Sequence, residues 1–156
     1  MVSILIVSMA QVSDPEDKYS DLYFRRDMVE GGFGPVVIPG FVWRREKSNR
    51  NIEKHGFSFY YARRIWGDGK PVLRVEDVEH SESEARFHSI GRAHLQPGKT
   101  ILVCETEVSD NVTRIFSAWV LTGGSLKTEF EEYEKQSLAQ SKKNYDYLKS
   151  LYDRMF

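Results

Sequence analysis

Residues 41–62 read FVWRREKSNRNIEKHGFSFYYA, and this stretch predicts how the folded part of the chain begins. Its first three residues are apolar and strand-like, and residues 44–54 are rich in helix formers. Gly56 suits the left-handed position that ends a helix, and Ser58 suits the N-cap of the next helix. We therefore expect a short strand followed by two helices that are joined by a tight turn.

Strand-like segments follow this stretch, and a helix ends the chain. Four segments have the length and composition of strands, namely residues 72–75, 86–91, 100–106 and 112–120. Turn-forming residues at 96–99 and 109–111 predict that the last three are antiparallel. Helical spacing of apolar residues returns from Ser125, with a polar stretch at 134–144 that could break the helix. The predicted fold class is α+β, with a short strand, two helices, a twisted antiparallel sheet of about four strands and a C-terminal helix.

The chain of 156 residues suits one globular unit with appendages. Residues 1–40 begin apolar, turn polar and end in a cluster of glycines and prolines, which predicts an N-terminal arm and a Gly/Pro-rich linker. Residues 41–134 form the predicted domain. Residues 135–156 form a predicted helical extension.

The charge of the chain is unevenly distributed, although its net value is only -1. Residues 41–128 carry 14 basic and 11 acidic side chains, and both flanks are net negative. Cys104 is the only cysteine, which excludes an internal disulfide and a cysteine-based metal cluster. No apolar run approaches the roughly 18 residues of a membrane span. We expect a cytoplasmic protein without a membrane association.

Four groups of residues have the order and spacing of one family's motifs. Residues 41–62 fit F-x-W-x-x-x-K-x-x-x-N-x-x-K-H-G-x-S-F-x-x-A, and the later groups are R-F-x-x-I-G at Arg86–Gly91, R-I-x-S-A at Arg114–Ala118, and Glu129, Glu132 and Tyr133. Over about residues 41–134 the chain resembles the BrnT toxins, ribonucleases of RelE-like fold. It departs from the family at Arg44, where an acidic residue is usual, and at Trp119, where arginine is usual.

The resemblance implies an endoribonuclease toxin of a type II toxin-antitoxin pair that cleaves RNA and thereby inhibits translation. It also implies a BrnA-like antitoxin as the neutralising partner. That antitoxin would carry a ribbon-helix-helix DNA-binding part, so DNA would be contacted only indirectly. A homodimer is a further expectation.

Metal-free RNA cleavage needs cations to stabilise the phosphate and a group that transfers protons. Arg86 and Arg114, on neighbouring predicted strands, are the candidates for phosphate binding, because guanidinium stays charged and offers two parallel donors. Lys54 and His55, at a helix end, are the candidates for charge and proton transfer. These four residues form the predicted catalytic site.

Each of these candidates also has a purely structural interpretation. A Lys-His pair in the last helical turn can satisfy free carbonyls, and strand arginines often pair with a carboxylate such as Glu105. Trp119 and Phe116 fit the core or a partner surface better than an RNA site.

Neither a metal nor an organic cofactor is predicted. The spacing of His80, His88 and His94 matches no helical ligand pair, and no cysteine could assist them. The sequence also contains no phosphate-binding glycine loop and no dinucleotide motif.

Two other hypotheses remain open. The chain could be a catalytically degenerate RelE-like binding module that acts through protein–protein interaction, as the tryptophan at 119 and the unshared flanks suggest. It could also be a controlled nuclease, whose acidic residues 1–40 cover the basic middle of the chain.

Overall fold

A computed structural model describes residues 34–67, 69–93 and 99–156. The described residues up to Leu121 form one compact unit, and Thr122–Phe156 form a second. The first unit contains a six-stranded sheet, with strands β1 Pro35–Ile38, β2 Phe41–Arg44, β3 Leu73–Glu76, β4 Phe87–Arg92, β5 Thr100–Ser109 and β6 Val112–Val120. Their spatial order is β1-β2-β6-β5-β4-β3. The pair β2–β6 is parallel, and the other pairs are antiparallel.

Three α-helices accompany the sheet: α1 Arg45–His55, α2 Phe59–Ala62 and α3 Ser125–Met155. The helix-capping residues predicted from sequence are found at the turn between α1 and α2. Gly56 ends α1 in the left-handed conformation at φ 89°, and its amide donates to the carbonyl of Ile52. Ser58 caps α2, because its Oγ accepts a hydrogen bond from the Tyr61 amide at 3.1 Å. The second predicted helix is shorter than expected and continues as a 3-10 turn, Arg63–Trp66.

The sheet differs from the prediction in size and in strand direction. We expected a short strand and a sheet of about four antiparallel strands, five strands in all, and the sheet has six strands and one parallel pair. The strand missing from the sequence-based prediction is β1, which lies within the predicted Gly/Pro-rich linker. Val36 and Ile38 are buried and alternate with exposed neighbours. This period-2 pattern is only four residues long and stands between glycines, so turn-forming composition obscured it.

The core of the first unit lies where the strands meet α2 and the 3-10 turn. Trp43 of β2 packs edge-on against Phe59 of α2, with ring centroids 6.3 Å apart. The buried side chains come from several elements: Val36, Trp43, Phe59, Tyr61, Ile65, Ile101, Val103, Ile115 and Ala118. This packing anchors the strands and helices that surround the candidate site.

Asn51 of α1 joins this helix to the outer edge of β6. Strand β2 pairs with β6 only at Thr113 and Arg114, so the rest of that edge needs other hydrogen-bond partners. The Asn51 carbonyl oxygen accepts from the Ala118 amide at 3.1 Å, and its amide donates to the Phe57 carbonyl at 2.9 Å. Helix α1 is thereby held beside the second half of β6.

Helix α3 of the second unit is continuous over 31 residues. The polar stretch at 134–144, which we expected could break it, is helical throughout. Side chains four residues apart support this region: Gln140 bonds Asn144 at 3.0 Å and Lys142 pairs with Asp146 at 2.9 Å. Within the described ranges, none of the helices combines the length and apolarity needed to span a bilayer.

The residues before Gly34 lie outside the described part of the chain. The predicted N-terminal arm therefore remains a prediction over that range, and so does its role as a cover for the basic middle. Most of the predicted turn at 96–99 also lies outside the described residues. The other predicted turn is present, where Asn111 joins β5 to β6 with a φ of 62°.

Candidate active site

A groove of about 410 Å³ lies between α1 and β6. Its lining residues come from these two elements only: Lys47, Arg50, Asn51, Lys54, His55, Phe116, Ser117 and Trp119. Four of them are lysine, arginine or histidine side chains of α1, and no carboxylate is among them. The groove therefore suits an anion.

The basic side chains share one face of α1 because of helical spacing. Lys47, Arg50 and Lys54 are separated by three and four residues, which places them one above another along the helix. Asn51 lies on the same face and connects it to β6. One surface of a single helix thus supplies most of the positive charge.

A β-bulge positions the aromatic side of the groove. Ser117 pairs with Cys104 and Ile115 pairs with Glu105, so Phe116 is an extra residue with no partner on β5. In a regular strand, neighbouring side chains point to opposite faces, yet Phe116 and Ser117 both line the groove. The bulge redirects the Phe116 ring toward α1.

Three cations lie against the Phe116 ring. The guanidinium carbons of Arg86 and Arg114 are 4.3 and 4.7 Å from the ring centroid, and the Lys47 Nζ is 5.6 Å from it. The π face attracts the cations and offsets part of their mutual repulsion. The structure thus brings Arg86 and Arg114 together on one side of the sheet.

These cations have few carboxylate partners. Arg86 reaches Glu84 only at 3.6 Å, and both side chains are more than a third exposed. Among the described residues, no carboxylate forms an ion pair with Lys47 or Arg114. Neither arginine pairs with Glu105, the carboxylate that we named as an example, because Arg74 holds that buried group at 2.7 Å.

The nearby positive charges affect the pKa of Lys47. Burial lowers the pKa of its ammonium, and the nearby guanidinium groups of Arg114, Arg44, Arg86 and Arg50 lower it further. A phosphate bound here would relieve this repulsion, since it adds an opposite charge within the cluster.

His55 ends α1 at the other side of the groove. Burial lowers the pKa of its imidazole, and the charge on Lys54 lowers it further. Both effects favour the neutral form of the ring, which can accept a proton. Of the four predicted residues, Lys54 and His55 line the groove, whereas Arg86 and Arg114 contact the ring of Phe116, which also lines it.

The other titratable groups near the groove have different surroundings. His80 and His88 both contact the Oδ2 of Asp77, at 2.8 and 3.3 Å, and His94 lies outside the described residues. Burial raises the pKa of the Cys104 thiol to about 11, so it stays protonated at neutral pH. A protonated thiol is a poor nucleophile.

The sequence-based interpretation missed six residues of this groove as site residues: Lys47, Arg50, Asn51, Phe116, Ser117 and Trp119. Lys47 belongs to the quoted motif and shares a helical face with Lys54, so spacing alone could have revealed it. Phe116 and Trp119 were interpreted as core or partner surface. Phe116 is indeed buried, at 9% exposure, and both side chains also line the groove.

A protein-family model described as "Ribonuclease toxin, BrnT, of type II toxin-antitoxin system" matches residues 43–122. The matched range contains every residue that lines the groove, as well as Arg86 and Arg114. A comparison with curated proteins found no match.

Proposed function

Since the chain belongs to the BrnT family of ribonuclease toxins from type II toxin-antitoxin systems, we propose that it cleaves RNA in the groove between α1 and β6. One observation carries the proposal. Lys47, Arg86 and Arg114 surround the ring of Phe116, and this ring lines the same groove as the His55 imidazole. Such an arrangement would supply both a phosphate-binding site and a proton acceptor.

The cations would bind the scissile phosphate. Arg86 and Arg114 each offer parallel N–H donors to the non-bridging oxygens, and Lys47 adds a compact positive charge. Negative charge on these oxygens is stabilised as the phosphorus becomes pentavalent. Donors placed in advance for that charge are among the largest contributions to catalysis.

His55 would carry out the proton transfers. Its neutral ring accepts the proton of the ribose 2′-hydroxyl, and the resulting oxygen attacks phosphorus. The bond from phosphorus to the 5′ oxygen then breaks, and the imidazolium returns the proton to that oxygen. The products are a 2′,3′-cyclic phosphate and a 5′-hydroxyl, and the reaction requires no metal ion. Lys54 adds charge beside His55.

The wider biological role follows from the family. We propose a RelE-like arrangement of the domain 41–134, with residues 135–156 as an extension. In this role the chain inhibits translation in the cytoplasm until a BrnA-like antitoxin neutralises it. Contact with DNA occurs only through that antitoxin.

Controlled expression in bacteria tests the nuclease activity. Growth arrest and cleaved RNA are expected for the wild-type chain and should disappear in an Arg86→Ala, Arg114→Ala double variant. The matched control is Arg63→Ala, which removes a guanidinium stacked on Tyr60 at 4.2 Å, outside the groove. Purified wild-type protein should form cyclic phosphate ends in the presence of EDTA. The proposal is rejected if expression of the wild-type chain does not arrest growth and the RNA stays intact.

Trp119 motivates the second candidate, a degenerate module that binds a partner without cleaving RNA. The family usually has arginine at this position, and an indole cannot bind phosphate as a guanidinium does. If the wild-type chain is inactive and Trp119→Arg cleaves RNA, this second function is favoured. An active wild-type chain excludes it.

A further inference from the structure

Trp119 is the one aromatic residue of the groove on which no cation stacks in the described part of the chain. It pairs with Leu102 in the sheet, and its indole lines the groove together with the cations of α1. The side chain is only partly buried, whereas the core residue Trp43 is 1% exposed. Packing alone therefore does not account for Trp119.

Two imidazole rings hold the indole in place. His55 lies at a centroid distance of 6.1 Å with a tilt of 37°, and His88 meets it edge-on at 6.3 Å. His88 is itself held by Asp77 at 3.3 Å. An aromatic surface that is already ordered loses little conformational freedom when a flat ligand binds.

The position of Trp119 relative to the cations suits an extended nucleotide chain. Trp119 follows Phe116 by three residues on β6, which corresponds to roughly 10 Å along a strand. A phosphate at the Phe116 cations therefore leaves a neighbouring base within reach of the indole. Groove cations that follow the backbone, beside an aromatic ring that stacks a base, are typical of single-strand binding.

We propose that Trp119 is a nucleobase-binding residue that stacks an unpaired base of single-stranded RNA, next to the phosphate bound by Arg86 and Arg114. RNA as the ligand rests on the proposed function. Every base has a π face, so the site selects unpaired strands and tolerates different sequences.

The test measures affinity for short 2′-O-methyl RNA oligonucleotides, which lack the attacking hydroxyl and cannot be cleaved. One set is intact, and the other has a single abasic position, moved along the strand. For the wild-type protein, one abasic position should weaken binding about ten-fold. Trp119→Ala should weaken binding of the intact strand by a similar factor, with no further loss at that position.

Two variants control for structure. Trp119→Phe keeps an aromatic ring and should retain most of the dependence on the base. Trp66→Ala changes another partly exposed tryptophan, which contacts Phe41 at 5.5 Å and lines a different depression. It should leave both affinities unchanged. Thermal unfolding of each variant confirms that it is folded.

The outcomes separate this proposal from the nuclease proposal. If Trp119→Ala and the abasic position weaken binding independently of each other, stacking is overturned. Trp119 is then a structural residue or a contact for a partner. A wild-type protein that binds intact and abasic strands alike, or binds neither, would also overturn it. Coupled losses in a chain that leaves natural RNA intact would retain stacking and reject cleavage. If natural RNA is cleaved but the two losses of affinity are independent, the nuclease proposal is retained and stacking is rejected.

Discussion

At the scale of single residues, the groove depends on cations that have few carboxylate partners in the described part of the chain. Lys47 is partly buried among guanidinium groups, and its pKa is lowered by that burial and by those charges. Such an arrangement costs stability in the free protein, because like charges repel more strongly when water is excluded. The groove is thus prepared for an anion at some cost to the fold.

The imidazole of His55 leads to a prediction about pH. Cleavage needs the neutral ring, so kcat/KM should rise with pH through the His55 pKa, and the midpoint should lie below the ordinary value of about 6.5. Lys54→Gln removes a positive neighbour that disfavours the imidazolium, so the midpoint should move upward. Rates measured from about pH 5 to 8 decide this. If Lys54→Gln leaves the midpoint of the pH profile unchanged, this result would contradict the role given to His55.

At the scale of elements, the groove exists because a helix takes the place of a strand beside β6. The parallel pairing with β2 ends after two residues, and α1 covers the edge that remains. The bulge at Phe116 then turns an aromatic ring toward that helix. Helix and strand edge together form the walls of the site.

Asn51 should therefore be important for stability. Asn51→Ala leaves the buried Ala118 amide and the Phe57 carbonyl without these partners, and we expect a loss of about 2 kcal/mol in the free energy of unfolding. Asn49→Ala is the matched control, since the buried Oδ1 of Asn49 has no hydrogen-bond partner among the described residues. It should be close to neutral. Urea unfolding of both variants gives the comparison, and equal losses would argue against the role of Asn51.

At the scale of the whole molecule, the net charge of -1 hides a local excess of cations. The attraction of RNA depends on the protein charges that lie near the RNA backbone, and the net charge of the protein matters less. Cations of α1 line the groove, and Arg114 of β6 and Arg86, the residue before β4, lie against its Phe116 ring. A nearly neutral protein can thus contain a strongly cationic site.

Salt dependence should reveal these contacts. For about three phosphate contacts with single-stranded RNA, the logarithm of affinity should fall with the logarithm of salt concentration at a slope of about -2. Lys47→Met should make the slope shallower by about 0.7. Lys70→Met, at an exposed position outside the groove, should leave it unchanged. Titration of an uncleavable oligonucleotide over a range of KCl concentrations measures the slopes.

The sequence by itself determined the local elements. Gly56 and Ser58 are helix-capping residues that act on the adjacent turn, so the break between α1 and α2 was predictable. The strands β4, β5 and β6 were predictable from their composition. The helical spacing of Lys47, Arg50 and Lys54 was also visible. The motifs at Arg86 and Arg114 indicated the family before any coordinates.

Only the tertiary structure decided which of these residues meet. The parallel pairing of β2 with β6, the strand β1 and the bulge at Phe116 depend on contacts between distant parts of the chain, which leave no periodic signal. Arg74 pairs with Glu105, whereas Arg86 and Arg114 lie on the Phe116 ring. Local propensity acts over a few residues, whereas the groove is formed by segments brought together in space, and for that reason its walls could not be inferred from sequence.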